Sequence, residues 1–149
     1  MDWHRIDRMP SMAAVMTPFP YSVNVHDPIE RAWDLMHQHK IRHVPVRDQH
    51  ALVGVVSERD LIAFGDNVRA DASGEPIKVG YLCRPDPYVV ETTARLDDVV
   101  LTMATRHIGS AIVVKDGRLA GIFTSSDACR FLAELLKSRF PGPGADLVA

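Results

Sequence analysis

The chain is poor in cysteine, has no long apolar run and carries no large excess of either charge. Its 149 residues include only Cys83 and Cys129, far apart and with no C-x-x-C pair. A dense disulfide framework is thereby excluded. Two reduced thiols in a cytoplasmic protein are the expectation, with a disulfide between them as the alternative. No apolar stretch approaches the ~20 residues needed to span a bilayer, so no membrane association is expected. The start, Met1-Asp2-Trp3-His4-Arg5, carries acid and lacks an apolar core, so no signal peptide is expected. A formal net charge of -2 argues against a nucleic-acid partner, whose footprint is usually a strongly basic face. With 46% hydrophobic and 24% charged residues, the composition is that of an ordinary globular protein.

What the chain does have is an internal repeat. Residues Val15 to Asp60 recur as Leu82 to Asp127 at a constant offset of 67, without a gap. Pro18 falls on Pro85, Pro20 on Pro87, Tyr21 on Tyr88, Met36 on Met103, Gly54 on Gly121 and Asp60 on Asp127. A constant register over most of the chain means two copies of one folding unit. Each copy is near the size at which a lone core is marginal, so the two are expected to fold as one body. The result should be a pseudo-twofold molecule with a cleft between its halves.

Each copy reads as β-α-β-β-α. Asp27-Pro28-Ile29-Glu30 predicts a helix start, with Asp27 as N-cap and Pro28 at N1. Ile29, Ala32, Trp33 and Met36 follow at helical spacing to an end near His39, and Leu96, Val99, Val100 and Met103 repeat them. Two apolar runs about a polar turn then predict paired strands, His43–Val46 with Leu52–Val56 and Ser110–Val114 with Leu119–Phe123. Ser57 and Thr124 are good N-caps for a last helix, with Asp60 or Asp127 three residues on. Short extended pieces, Tyr21–Val25 and Tyr88–Thr92, open the copies. The segment Gly65 to Glu75 is polar and glycine-containing, the expected linker. Pro141-Gly142-Pro143-Gly144 should stop the final helix.

These residues together resemble the CBS domain pair, named after cystathionine β-synthase. The specific parts are Val15-Met16-Thr17-Pro18-Phe19-Pro20 and the two signatures, Gly54-Val55-Val56-Ser57-Glu58-Arg59-Asp60 and Gly121-Ile122-Phe123-Thr124-Ser125-Ser126-Asp127. The likeness runs from Ser11 to about Leu136. It implies an α+β fold, a tandem CBS domain pair of two β-α-β-β-α repeats. The organisation expected is an N-terminal extension at 1–10, repeat 1 at 11–64, a linker at 65–76, repeat 2 at 77–138 and a flexible tail at 139–149.

The resemblance also implies an adenosine-containing ligand, AMP, ADP or ATP, bound between the repeats, with no further cofactor and no catalysis. In that reading Asp60 and Asp127 accept the vicinal ribose hydroxyls, as acidic residues do in dinucleotide sites. Ser57 and Thr124 offer a hydroxyl and helix-terminal N–H groups to phosphate, and Arg59 adds a positive charge. Val44 and Pro45, or Ala111 and Ile112, would form an apolar wall for the purine. Thr17 of the first opening is replaced by Arg84, which would clamp a polyphosphate, fill the pocket or face solvent. Because Thr17, Ser57, Arg59 and Asp60 lie in one copy, the Asp60 site is expected to be the better preserved. Ser/Thr-x-x-Asp is also an ordinary helix cap, so spacing alone does not establish a ligand.

Other constellations are weaker. His39 and His43 are four apart, but the repeat puts one at a helix end and the other in a strand, so no metal site is expected. Cys83, next to Arg84, would be redox-sensitive if that arginine lowered its pKa. The expectation is a regulatory, energy-sensing module, homodimeric through apolar side chains such as Trp33, Leu61, Phe64 and Phe131, acting on an unknown target protein. The alternative is a ligand-free dimerisation scaffold.

Overall fold

The computed structural model describes residues 8–65 and 70–140. Most of the expected terminal extension, part of the linker and the Pro-Gly stop fall at 1–7, 66–69 and 141–149, outside the described residues. The first half contains α1 (Met12–Val15), β1 (Thr17–Pro18), β2 (Val23–Asn24), α2 (Ile29–His39), β3 (His43–Asp48), β4 (Ala51–Ser57) and α3 (Glu58–Phe64). After a 3-10 turn at Val79–Tyr81 come β5 (Val89–Glu91), α4 (Leu96–Thr105), β6 (Ser110–Lys115), β7 (Arg118–Thr124) and α5 (Ser125–Arg139). The α+β fold and the repeated β-α-β-β-α order are as the sequence implies.

Two sheets result, ordered β2-β3-β4 and β1-β7-β6-β5. In each, a short opening strand runs parallel to the first long strand, which pairs antiparallel with the second. Three pairs of non-glycine residues with positive φ repeat at the same offset: Phe19 and Asp86, Lys40 and His107, Gln49 and Asp116. Backbone shape thus repeats even where side chains differ.

The repeats exchange their first residues. Thr17 and Pro18 pair with Ile122 and Gly121, and Arg84 bridges Val55. Met12 and Val15 are buried in the core formed by Val99, Met103, Val113 and Phe123. Ile77 and Val79 are buried with Val23, Ala32, Met36 and Val56. Backbone bonds repeat the exchange, Met12 N–H to Ala94 C=O at 2.8 Å and Val79 N–H to Asp27 C=O at 2.8 Å. A Cβ at Gly54 would strike Cys83 and the Arg84 carbonyl, and one at Gly121 would strike Met16 and the Thr17 carbonyl. The signature glycines therefore admit the other repeat's opening segment.

One cap differs from expectation. Pro28, not Asp27, occupies the N-cap position of α2, and no side chain caps it. The Asp27 carboxylate instead accepts from the Asn24 N–H at 2.8 Å. The Ile29 N–H donates to the Ile77 carbonyl at 2.9 Å, so an exchanged segment does the capping.

Trp33, Leu61, Phe64 and Phe131, expected to await a partner, pack in or against the cores. The large apolar side chains that stay exposed are others, among them Ile62, Leu101, Leu132, Leu135 and Leu136.

Candidate functional site

A continuous cleft of about 1480 Å³ lies between the repeats and reaches both Asp60 and Asp127. Each aspartate is placed by a capping box at a strand-to-helix junction. The Ser57 side chain accepts from the Asp60 N–H at 3.2 Å, while Asp60 Oδ2 accepts from the Ser57 N–H and hydroxyl at 3.0 and 2.6 Å. Thr124 and Asp127 repeat this, with both bonds to Asp127 Oδ2 at 2.8 Å. One oxygen of each carboxylate is thereby committed to its helix start, and the other is turned outwards.

Those second oxygens are held by arginines. Arg84 Nε donates to Asp60 Oδ1 at 2.7 Å, and Arg130 Nη2 donates to Asp127 Oδ1 at 2.5 Å. The two arginines come from different places. Arg84 corresponds to Thr17 in the repeat alignment, whereas Arg130 corresponds to Ala63. Burial on its own would raise the Asp60 carboxyl, but the bonds from Ser57 and Arg84 outweigh it and hold it below its usual range.

The exchange of opening segments regroups the expected site residues. Thr17 lies beside Ile122 and belongs with Thr124 and Asp127; Arg84 lies beside Val55 and belongs with Ser57, Arg59 and Asp60. Grouping Thr17 with Asp60 because both lie in repeat 1, and ranking the Asp60 site as the better preserved for that reason, is therefore corrected. Arg59 is exposed and lines the cleft beside Glu58. Of the outcomes open to Arg84, the structure shows the guanidinium facing the cleft and bonded to Asp60.

Val44, Pro45, Ala111 and Ile112 are not on the cleft surface. Val44 and Ala111 point into the two cores, and all four are fully buried. The apolar lining comes from the neighbouring strand and the residues just before β3 and β6: Val55, Ile122, Ile41 and Ile108. Strand alternation explains the displacement, since Val44 must face its helices to complete the core.

Further cleft residues were not singled out by motif. Tyr21 stacks on His39 with ring centroids 3.7 Å apart, and Arg106 lies over Tyr88 at 5.4 Å. Both pairs occupy equivalent positions, so the Tyr21–Tyr88 match in the repeat was the available signal. Lys40, Arg42, Arg59, Arg84, Arg106 and Arg130 all line the cleft, against Glu58, Asp60, Asp86 and Asp127. A cation excess here, in a chain of net charge -2, focuses a positive field on the cleft. His43, at the start of β3, is held below its ordinary value of 6.5, chiefly by burial, and is neutral at pH 7.

Cys83 does not meet the condition set for a redox-sensitive thiol. Burial raises its thiol pKa and the negative charge of Asp60 raises it further, while the neighbouring guanidinium is turned towards Asp60 rather than the sulfur. That removes the basis for a reactive thiolate. Both cysteines are free. Among the described residues, no three His, Cys, Asp or Glu side chains form a metal-binding group, and no helix is long and apolar enough to cross a membrane.

Two repeats that exchange their openings around a cleft with paired, capped aspartates define a tandem-repeat domain pair. The chain belongs to the CBS-domain family, whose model matches residues 12–66 and 79–134. Hypoxic response protein 1 of Mycobacterium tuberculosis is 27% identical over 113 residues, 75% of this chain and 78% of that protein. The structure of the AcuB protein from Vibrio cholerae is 28% identical with a TM-score of 0.76, covering 91% of this chain and 99% of that one. CBSX2 in complex with AMP is 28% identical with a TM-score of 0.72, covering 85% and 98%.

Proposed function

We propose that the chain is a non-catalytic regulatory module that binds an adenine nucleotide between its CBS repeats and relays occupancy to a partner protein. The observation that carries this reading is the pair of capped aspartates opening onto one cation-rich cleft. Asp60 and Asp127 serve as ribose acceptors. Ser57 and Thr124 hold those carboxylates and, with the helix N-termini, face the phosphates. Thr17 completes the Asp127 site, while Arg59 and Arg84 complete the Asp60 site. Val44, Pro45, Ala111 and Ile112 contribute by shaping the strands behind the cleft. The CBSX2 complex with AMP, of similar fold and 28% identity, supports a nucleotide as ligand. We further propose that the protein works in the cytoplasm as a homodimer.

A thermal shift with AMP, ADP, ATP, S-adenosylmethionine and NADH tests the reading. Ligand at a hundredfold excess over Kd stabilises by about 2.7 kcal/mol, which raises Tm by several degrees. A flat response to all five would favour the second reading, a ligand-free dimerisation scaffold. One observation speaks for that alternative: both aspartates are already satisfied by arginines of the chain itself.

A further inference from the structure

We propose that the cleft admits phosphorylated nucleosides and rejects uncharged ones, because each aspartate must exchange an arginine for a ribose. This rests on the nucleotide reading above and adds what that reading leaves open, how uncharged nucleosides are turned away. At each site Oδ2 is occupied by the capping box and Oδ1 by a guanidinium. Three of about four acceptor positions on each carboxylate are taken, which leaves too few for two ribose hydroxyls. A ribose therefore enters only as Arg84 or Arg130 leaves.

What happens to the displaced guanidinium decides the selectivity. Arg84 stands on a wall already carrying Arg59 and Arg42, and Arg130 shares its cleft with Arg106. Of the other acids lining the cleft, Glu58 already faces Arg42 and Asp86 is exposed, so a guanidinium pulled off its carboxylate meets no equally buried anion there. A phosphate supplies one, with the bidentate geometry that suits arginine. A neutral nucleoside offers hydroxyls to the carboxylate and nothing to the arginine, so it replaces an ion pair with uncharged donors.

Both arginines are free to make the move. Their side chains are 71% and 61% exposed, whereas those of Asp60 and Asp127 are 9% and 11% exposed. The guanidiniums are the mobile partners and the carboxylates the fixed ones. The arrangement also arises twice from non-equivalent positions, since Thr17 and Ala63 stand where Arg84 and Arg130 would be by repeat symmetry. Repetition of the backbone alone does not explain it.

The test compares adenosine and 5′-methylthioadenosine with AMP and ATP by calorimetry, on the unmodified protein and on an Arg84→Thr/Arg130→Ala variant. Each replacement is the residue that the other repeat carries, and circular dichroism checks that the variant folds. The unmodified protein should bind AMP at least about tenfold more tightly than adenosine, the size of one hydrogen bond to a charged group. In the variant, adenosine should bind more tightly than before and ATP less tightly, so that the gap closes about tenfold. Two results overturn the exchange while leaving a nucleoside site intact: adenosine binding the unmodified protein as well as AMP, or the variant weakening all four ligands equally. If none of the four binds either protein, the nucleotide reading itself fails and the exchange fails with it.

Discussion

Thr17 pairs with Ile122, a residue of the other sequence repeat, and so lies beside the strand that leads to Asp127 rather than to Asp60. The same exchange seats Arg84 against Val55. Each site is thus composite, drawing its signature from one repeat and its opening residue from the other. Separating the repeats would dismantle both sites and both cores.

Gly54→Ala should destabilise the protein by about 2 kcal/mol, within the range for overpacking a filled site. The added methyl meets the backbone carbonyl of Arg84, which cannot rotate away as a side-chain tip can. Urea unfolding measures the loss. A change below about 0.5 kcal/mol, the usual scatter of surface substitutions, would contradict the close approach of the exchanged segment.

Phe19→Asn should stabilise the chain by about 1 kcal/mol. Phe19 is 89% exposed and has φ of 47°, a conformation that costs most L-residues about 1–2 kcal/mol and that Asn tolerates. The equivalent residue is Asp86, with φ of 56°. A fall in Tm for the Asn variant would show that the aromatic ring makes a contribution larger than the strain it carries.

Stability should decline as pH falls, in two stages. His43 has a folded pKa below its ordinary 6.5, so it adds stability above that value and loses it as pH drops below. Asp60 has a folded pKa below its ordinary 3.8, so its contribution persists to lower pH and disappears as the carboxyl protonates. Urea midpoints between pH 8 and pH 2 record both stages. His43→Gln should flatten the upper stage and Asp60→Asn the lower. An unchanged profile in either variant would remove that residue from the account.

Much of the fold was legible because the repeat keeps its register. Helix periodicity, the Ser57 and Thr124 caps and the β-hairpins all follow from local pattern. The exchange of openings was not, because nothing local in Val15-Met16-Thr17-Pro18 tells which sheet it joins. Two short extended residues have two equivalent edges to choose between, and long-range packing of Met12 and Val79 decides. The same limit misplaced Val44 and Ala111, since a β-strand's two faces are distinguished only by what packs on each. Arg130 had no motif to announce it; its role depends on facing the same carboxylate from one helical turn away.

Light scattering should report a dimer at tens of micromolar. Leu132, Leu135 and Leu136 on α5 and Leu101 on α4 are exposed, and a clustered apolar face usually marks an interface. Leu132→Glu together with Leu136→Glu should yield monomers of unchanged helical content. Monomers from the unmodified chain would contradict the proposed assembly.

Calorimetric titration of AMP into the unmodified protein, Asp60→Ala, Asp127→Ala and the double variant decides whether the paired aspartates bind nucleotide. Each substitution removes a charged acceptor whose hydrogen bonds contribute about 1.5–3 kcal/mol apiece. It also removes half of a capping box, at a cost of about 0.5–2 kcal/mol in stability, so Tm is recorded alongside. The unmodified protein should bind AMP, each single variant should bind it more weakly or at fewer sites, and a folded double variant should not bind it. A folded double variant that binds AMP as the unmodified protein does, or an unmodified protein that binds no adenine nucleotide at millimolar concentration, would contradict the proposed site.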